Sequence, residues 1–116
     1  MEKQTVEMAL LLDFYGELLT VKQREYMELY YNEDFSLTEI ARLGGITPQG
    51  VRDAIRRGAA TLTEMEEKTG FMARSRQIAE IAASSIAGLG EIEARVNNAE
   101  LAPLFEALYK QLETLQ

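Results

Sequence analysis

The stretch SLTEIARLGGITPQGVRDAIRR, residues 36 to 57, decides the fold. Ser36 and Glu39 stand three apart ahead of apolar residues. That is the capping-box spacing, in which the hydroxyl accepts from the backbone N–H at position 39 and the carboxylate reaches back. A short helix follows with Leu37, Ile40 and Ala41 inward. Gly44-Gly45 stops it, because glycine adopts the left-handed conformation that a helix end requires. Thr47-Pro48 then starts a second helix, with threonine at the N-cap and proline at the first helical position. Ala41 is small where the second helix must cross closely, and Gly45 permits the positive φ of the tight turn. Ile46, Val51 and Ile55 are expected to seal the core between the two helices. Together these features spell a helix-turn-helix, which presents its second helix outward, where it can enter a major groove.

Working toward the N-terminus, Met8, Leu11, Leu12 and Tyr15 fall at i, i+3, i+4, i+7, one face of a helix that Gly16 weakens or ends. Thr20 and Gln23 make another capping box, opening a helix with Tyr26, Leu29 and Tyr30 as its buried stripe. Asn32-Glu33-Asp34 reads as a turn. Tyr31 points elsewhere on the helical wheel, and of the three tyrosines it is the one expected to be free for a stacking contact on unpaired bases.

Toward the C-terminus, Val51, Ile55, Ala59 and Leu62 line the inner face of the second helix. Lys68 and Gly70 mark its end, and Phe71 is expected to fold back on Met65 as the hydrophobic contact of a glycine cap. Ile78, Ile81, Ile86 and Leu89 predict a further helix stopped by Gly88 or Gly90, with a short continuation through Ile92 and Val96. Asn97-Asn98 loosens the chain, and Pro103 sits in the first turn of a last helix lined by Leu104, Leu108, Leu112 and Leu115. No strand signal competes. The reading is all-α: a helix-turn-helix core with flanking N- and C-terminal amphipathic helices. Residues 1–70 form the helix-turn-helix domain with its N-terminal helix. Residues 71–116 form a C-terminal helical extension that packs on it or makes a dimer seam. The apolar face exceeds what one small helical unit needs, so a homodimer is expected.

Composition narrows the chemistry. The chain has no cysteine and no histidine, so thiolate sites and the usual acid–base residue near pH 7 are missing. A metal site would need carboxylates alone. Asp13 with Glu17, or Glu64, Glu67 and Glu91, read as solvated helix faces rather than as ligands. No glycine loop followed by Lys-Ser or Lys-Thr exists to hold a nucleotide. No enzyme, metal or cofactor is expected. Met1-Glu2-Lys3-Gln4 lacks the pattern of a secretory leader, and the longest apolar run, Met8 to Leu12, is far below the ~20 residues of a membrane helix. No membrane insertion is expected, and the location is read as cytoplasmic.

The candidate binding face lies on the second helix. Gln49, Arg52, Asp53 and Arg56 recur at i, i+3, i+4, i+7 opposite the buried stripe, with Arg57 alongside. Glutamine and arginine can read adenine and guanine edges with paired hydrogen bonds. Lys22 and Arg24, in the first turn of the preceding helix, are placed to touch phosphates. The charge is less favourable. The whole chain carries −7, whereas nucleic-acid binders are usually basic. From Thr20 to Thr61 six basic residues are balanced by six acidic ones, so non-specific affinity should be weak.

Two resemblances bear on function. LLTVKQREYMELYYNEDFSLTEIARLGGITPQGVRDAIRR, residues 18 to 57, resembles region 4 of bacterial sigma factors. The run LLDFYGELLTVKQREYMELYYNEDFSLTEIA, residues 11 to 41, resembles more closely the YlxM family of helix-turn-helix proteins, above all at Asp13-Phe14-Tyr15 and from Tyr26 to Tyr31. That resemblance extends through Gln49, Val51, Asp53, Ile55 and Arg57 to Glu66-Glu67-Lys68. It implies a helical accessory or regulatory protein of the signal recognition particle pathway, binding the particle's RNA, its GTPase or the receptor, without catalysis. Where the family usually has Ser-Arg-Gln-Ala, this chain has Thr47-Pro48-Gln49-Gly50, so a nucleic-acid-facing arginine is replaced by proline. The segment after Phe71 is also less basic than the family's usual tail. Two other readings stand beside the first. One is a dimeric DNA-binding transcriptional regulator using the helix 48–68 in the major groove of duplex DNA. The other is a helix-turn-helix reduced to protein–protein interaction.

Overall fold

The computed structural model describes residues 5–116 and divides the chain into two compact units, Met1–Met72 and Ala73–Gln116. The four residues read above for a leader lie outside the described span. All regular structure among the described residues is helical, and none of the helices is long and apolar enough to cross a membrane.

The first unit contains α1 (Thr5–Tyr15), a 3-10 turn (Gly16–Leu18), α2 (Val21–Met27), a π-helical turn (Glu28–Asn32), α3 (Leu37–Gly44) and α4 (Pro48–Thr69). The boundaries follow the local chemistry. Thr20 and Ser36 each close a full capping box, with Gln23 and Glu39 as the reciprocal partners. Gly45 ends α3 at φ 66° and Gly70 ends α4 at φ 63°, conformations in which a side chain would be strained. Thr47 caps α4 by accepting from the Gly50 N–H at 3.1 Å, with Pro48 next in line.

The core is one cluster. Met8, Leu11, Leu12 and Tyr15 of α1 pack with Tyr26, Met27, Tyr30 and Tyr31, with Ile40 and Ala41 of α3, and with Val51, Ile55 and Leu62 of α4. Met27, Ile40, Val51, Ile55 and Leu62 are completely buried. Burying a side chain of this size is favourable by roughly 1.5–3 kcal/mol, so these five carry much of the unit's stability. Polar contacts latch α1 to the end of α4. The Tyr15 hydroxyl donates to Glu66 Oε1 at 2.5 Å and lies 2.9 Å from Thr69 Oγ1. The same Glu66 oxygen accepts from the Met72 N–H at 3.0 Å.

Three expectations for this unit are corrected. Tyr31 is buried, not free. The π-helical turn holds more residues per turn than an α-helix, which re-phases the wheel and brings Tyr30 and Tyr31 inward together, their rings edge to face at 5.0 Å. Burial pushes the Tyr31 phenol above its ordinary range, with the Tyr30 phenol adding to the effect. Ile46 is 42% exposed rather than sealed in the core; its side chain covers the bare backbone at Gly50, within 3.4 Å of where a Cβ would stand. Phe71 is exposed, and the residue that joins the core after the Gly70 cap is Met72.

The second unit continues α5 (Phe71–Val96), then a 3-10 turn (Ala99–Leu101) and α6 (Ala102–Glu113). Here the sequence reading is corrected again. α5 runs unbroken through Gly88 and Gly90 and stops at Val96, where Asn97 takes φ 44°. A glycine inside a helix loses about 1 kcal/mol relative to alanine, and that is too little to break a long helix by itself. Tyr109 of α6 donates its hydroxyl to Glu93 Oε1 at 3.0 Å, and a Cβ at Gly90 would lie 3.8 Å from that hydroxyl oxygen.

The capping box of α3 is open to a direct test. Hydrogen bonds from the Ser36 backbone and side chain hold the Glu39 carboxyl below its ordinary range. A lowered folded-state pKa means stability that is present above the unfolded value and lost as pH falls through the folded one. Ser36→Ala is expected to lower the melting temperature by roughly 5 °C at neutral pH. The Ser36 N–H that the Glu39 carboxylate accepts from survives in Ser36→Ala, so the titrating half is read by Glu39→Gln, whose gap from the parent should narrow as melting is repeated at acidic pH; a gap that widens contradicts this account.

Candidate nucleic-acid interface

The turn between α3 and α4 fixes which face of α4 is outward. Val51, Ile55, Gly58 and Leu62 are buried, and the remaining arc of the first three turns carries Gln49, Arg52, Asp53, Arg56 and Arg57. Arg56 and Arg57 are exposed and Arg52 is half-buried. None of these three guanidinium groups has a carboxylate partner among the described residues.

The other sequence-predicted contacts are engaged within the chain. The Gln49 side-chain amide donates to Asp53 Oδ1 at 3.0 Å, so both must release each other before either reads a base. Lys22 Nζ lies 3.5 Å from Glu25 Oε2, and Arg24 donates through Nε to Glu28 Oε1 at 3.1 Å. All four side chains are about half exposed or more, a setting in which an ion pair holds weakly and a phosphate can compete. Beyond them lies an acid-rimmed groove of about 470 Å³ lined by Glu25, Glu28, Leu29, Glu33 and Phe35. The Gln49–Asp53 bond joins residues at i and i+4, a spacing that shows in the sequence; α4 itself brings the two polar ends together.

Known proteins share this pattern along most of the chain. The sequence pattern of the family described as "Putative helix-turn-helix protein, YlxM / p13 like" matches residues 2–97. A UPF0122 protein of Thermoanaerobacter sp. (strain X514) is 38% identical over 115 residues, 99% of this chain and 98% of its own length. A UPF0122 protein of Halalkalibacterium halodurans is 40% identical over 113 residues, 97% of each chain. A UPF0122 protein of Exiguobacterium sibiricum is 50% identical over 74 residues, 64% of this chain and 70% of its own.

Proposed function

From the premise that this chain belongs to the YlxM/p13-like helix-turn-helix family, we propose that it is a non-enzymatic nucleic-acid-binding accessory protein of the signal recognition particle pathway, and that it holds the particle's RNA. The observation that carries the binding half of this reading is the trio Arg52, Arg56 and Arg57, without carboxylate partners among the described residues, on the outward face of α4. Three guanidinium groups along one helix face suit a phosphate backbone, because arginine pairs with phosphate oxygens through two donors at once. Pro48 and the mutually bonded Gln49 and Asp53 leave little for reading base edges. Recognition therefore rests on shape and phosphates, which is how helical RNA is commonly bound. The pathway half comes from the resemblance.

The test is a fluorescence titration of the purified protein against the particle's RNA and against duplex DNA of equal length, each at several salt concentrations. The RNA is expected to bind more tightly. The variant with Arg52, Arg56 and Arg57 all changed to alanine is expected to bind at least ten-fold more weakly. Its log–log salt slope should be shallower by about 2 to 3, close to one for each phosphate no longer neutralised. Tighter binding to a defined DNA sequence makes the chain a DNA-binding regulator instead. No binding to either polymer, with retention of the particle's GTPase on immobilised protein, makes the helix-turn-helix a protein–protein module.

A further inference from the structure

One carboxylate stands among the arginines of α4. Counting about 100° per residue, Asp53 falls between Arg56, about 60° to one side, and Arg57, about 40° to the other. The two arginines follow it by three and four residues, the spacing at which an aspartate and a later arginine on one helix pair. Neither pair closes, and the Asp53 carboxylate has no cationic partner among the described residues. The same spacing does close further along α4, where Lys68 Nζ lies 2.7 Å from Glu64 Oε1. What differs at Asp53 is Gln49, one turn before it, whose amide donates to Oδ1 at 3.0 Å. That bond turns the carboxylate toward the start of the helix, away from Arg56 and Arg57. It engages one oxygen only; Oδ2 takes no hydrogen bond among the described residues.

A face that met phosphates alone would be weakened by this residue, because a carboxylate repels phosphate oxygens. Asp53 becomes favourable only where the ligand also presents a hydrogen-bond donor, since an ionised carboxylate accepts and never donates. Two kinds of donor lie near the phosphates of a nucleic acid, the amines of the bases and the 2′-hydroxyl of ribose. In helical RNA the major groove is too deep and narrow for side chains to read, whereas the shallow minor groove displays the 2′-hydroxyls. The hydroxyl is therefore the donor within reach of a residue that sits beside phosphate-binding arginines.

We propose that Asp53 is the residue by which this chain tells RNA from DNA. Oδ2 accepts a hydrogen bond from a ribose 2′-hydroxyl while Arg56 and Arg57 hold neighbouring phosphates. Deoxyribose has no donor at that point, so DNA meets the repulsion without the bond. Gln49 is a positioning residue: it holds the carboxylate off the two arginines, which keeps all three groups available to the ligand. The proposal rests on the phosphate-binding reading of the arginine face and adds to it the origin of a preference for RNA.

The experiment is a fluorescence titration, at one fixed salt concentration, of a single hairpin sequence made as RNA, as DNA and as 2′-O-methylated RNA. Methylation keeps the RNA-like duplex and removes the donor. The parent is expected to bind RNA about ten-fold more tightly than either of the others, the effect of one hydrogen bond to a charged acceptor. Asp53→Ala should bring the three ligands together, weakening RNA and strengthening DNA. Asp53→Asn keeps an acceptor oxygen without the charge, so it should bind all three more tightly and retain part of the preference for RNA. Gln49→Ala should reduce that preference in the parent and leave it unchanged in the Asp53→Ala background, because a residue that acts through Asp53 has no effect without it.

An Asp53→Ala variant that gains RNA and DNA affinity by the same factor overturns the proposal, since the carboxylate is then a repulsive charge and nothing more. So does a parent that binds methylated RNA as tightly as RNA. Failure of the underlying reading has a different signature: the parent binds none of the three ligands, or the variant with Arg52, Arg56 and Arg57 changed to alanine binds RNA as tightly as the parent, and the proposal then falls with it.

Discussion

Replacing Ile55 with alanine is expected to remove a third or more of the folding stability of the helix-turn-helix unit. Ile55 is fully buried in α4, within the same cluster as Met27, Ile40, Val51 and Leu62, also wholly inaccessible. Truncation leaves a cavity among neighbours held by three different helices, so the walls cannot relax inward together. Such a change destabilises by about 2–5 kcal/mol. A unit of this size has roughly 4–11 kcal/mol to lose. With an m-value near 1–2 kcal/mol/M, the urea midpoint should fall by about 2 M. Ile46→Ala is the control, because the residue type is the same but Ile46, in the turn before α4, is 42% exposed. Its midpoint should move by only a fraction of that. Equal shifts at the two positions contradict the assignment of the core.

The contrast between these isoleucines shows what a sequence can disclose. Capping is local, and Thr20–Gln23, Ser36–Glu39 and Thr47–Pro48 carry their meaning in four residues or fewer; all three starts lie where spacing sets them. Stripes of uninterrupted α-helix are legible for the same reason, as with Met8, Leu11, Leu12 and Tyr15. Tyr31 is not, because a π-helical turn changes the period within one element and no residue type announces it. Ile46 is not, because its choice between core and surface depended on Gly50 leaving a bare patch of backbone to cover. Gly88 and Gly90 look like stops, yet the glycines that end helices here, Gly45 and Gly70, do so by taking positive φ, and Gly88 and Gly90 do not take it.

The candidate interface divides along similar lines. The wheel positions of Gln49, Arg52, Asp53, Arg56 and Arg57 follow from helical periodicity, and the buried stripe beneath them fixes their outward direction. What periodicity leaves open is engagement. Lys22 and Arg24 are held by Glu25 and Glu28, and Gln49 by Asp53, whereas Arg52, Arg56 and Arg57 have no carboxylate partner among the described residues. Each engaged pair is three or four residues apart on one helix, so the pairing is visible in sequence once the helix is granted; which pairs actually close depends on rotamers and exposure.

Gly58 carries the other large effect, and it is the position where local propensity argues most plainly in the wrong direction. It lies mid-helix in α4, where alanine is intrinsically better by about 1 kcal/mol. It is nevertheless buried at the crossing of α2 and α4, and a Cβ there would stand 2.5 Å from Met27 Sδ, with Gln23 Cβ at 3.6 Å and Leu19 Cδ2 at 3.7 Å. Met27 is itself wholly inaccessible, so its thioether cannot swing away into solvent. Gly58→Ala is expected to destabilise by about 1 kcal/mol net, the overpacking term of roughly 1–3 kcal/mol outweighing the propensity gain. Gly58→Leu adds three more carbons at a point that rejects the first, and should abolish cooperative unfolding by circular dichroism. The decisive measurement is a double-mutant cycle. In a Met27→Ala background the space above Gly58 is vacated and only propensity remains, so Gly58→Ala should there become stabilising by up to about 1 kcal/mol. If the substitution destabilises equally with and without the Met27 side chain, the close approach of α2 to α4 is not what requires glycine at this crossing.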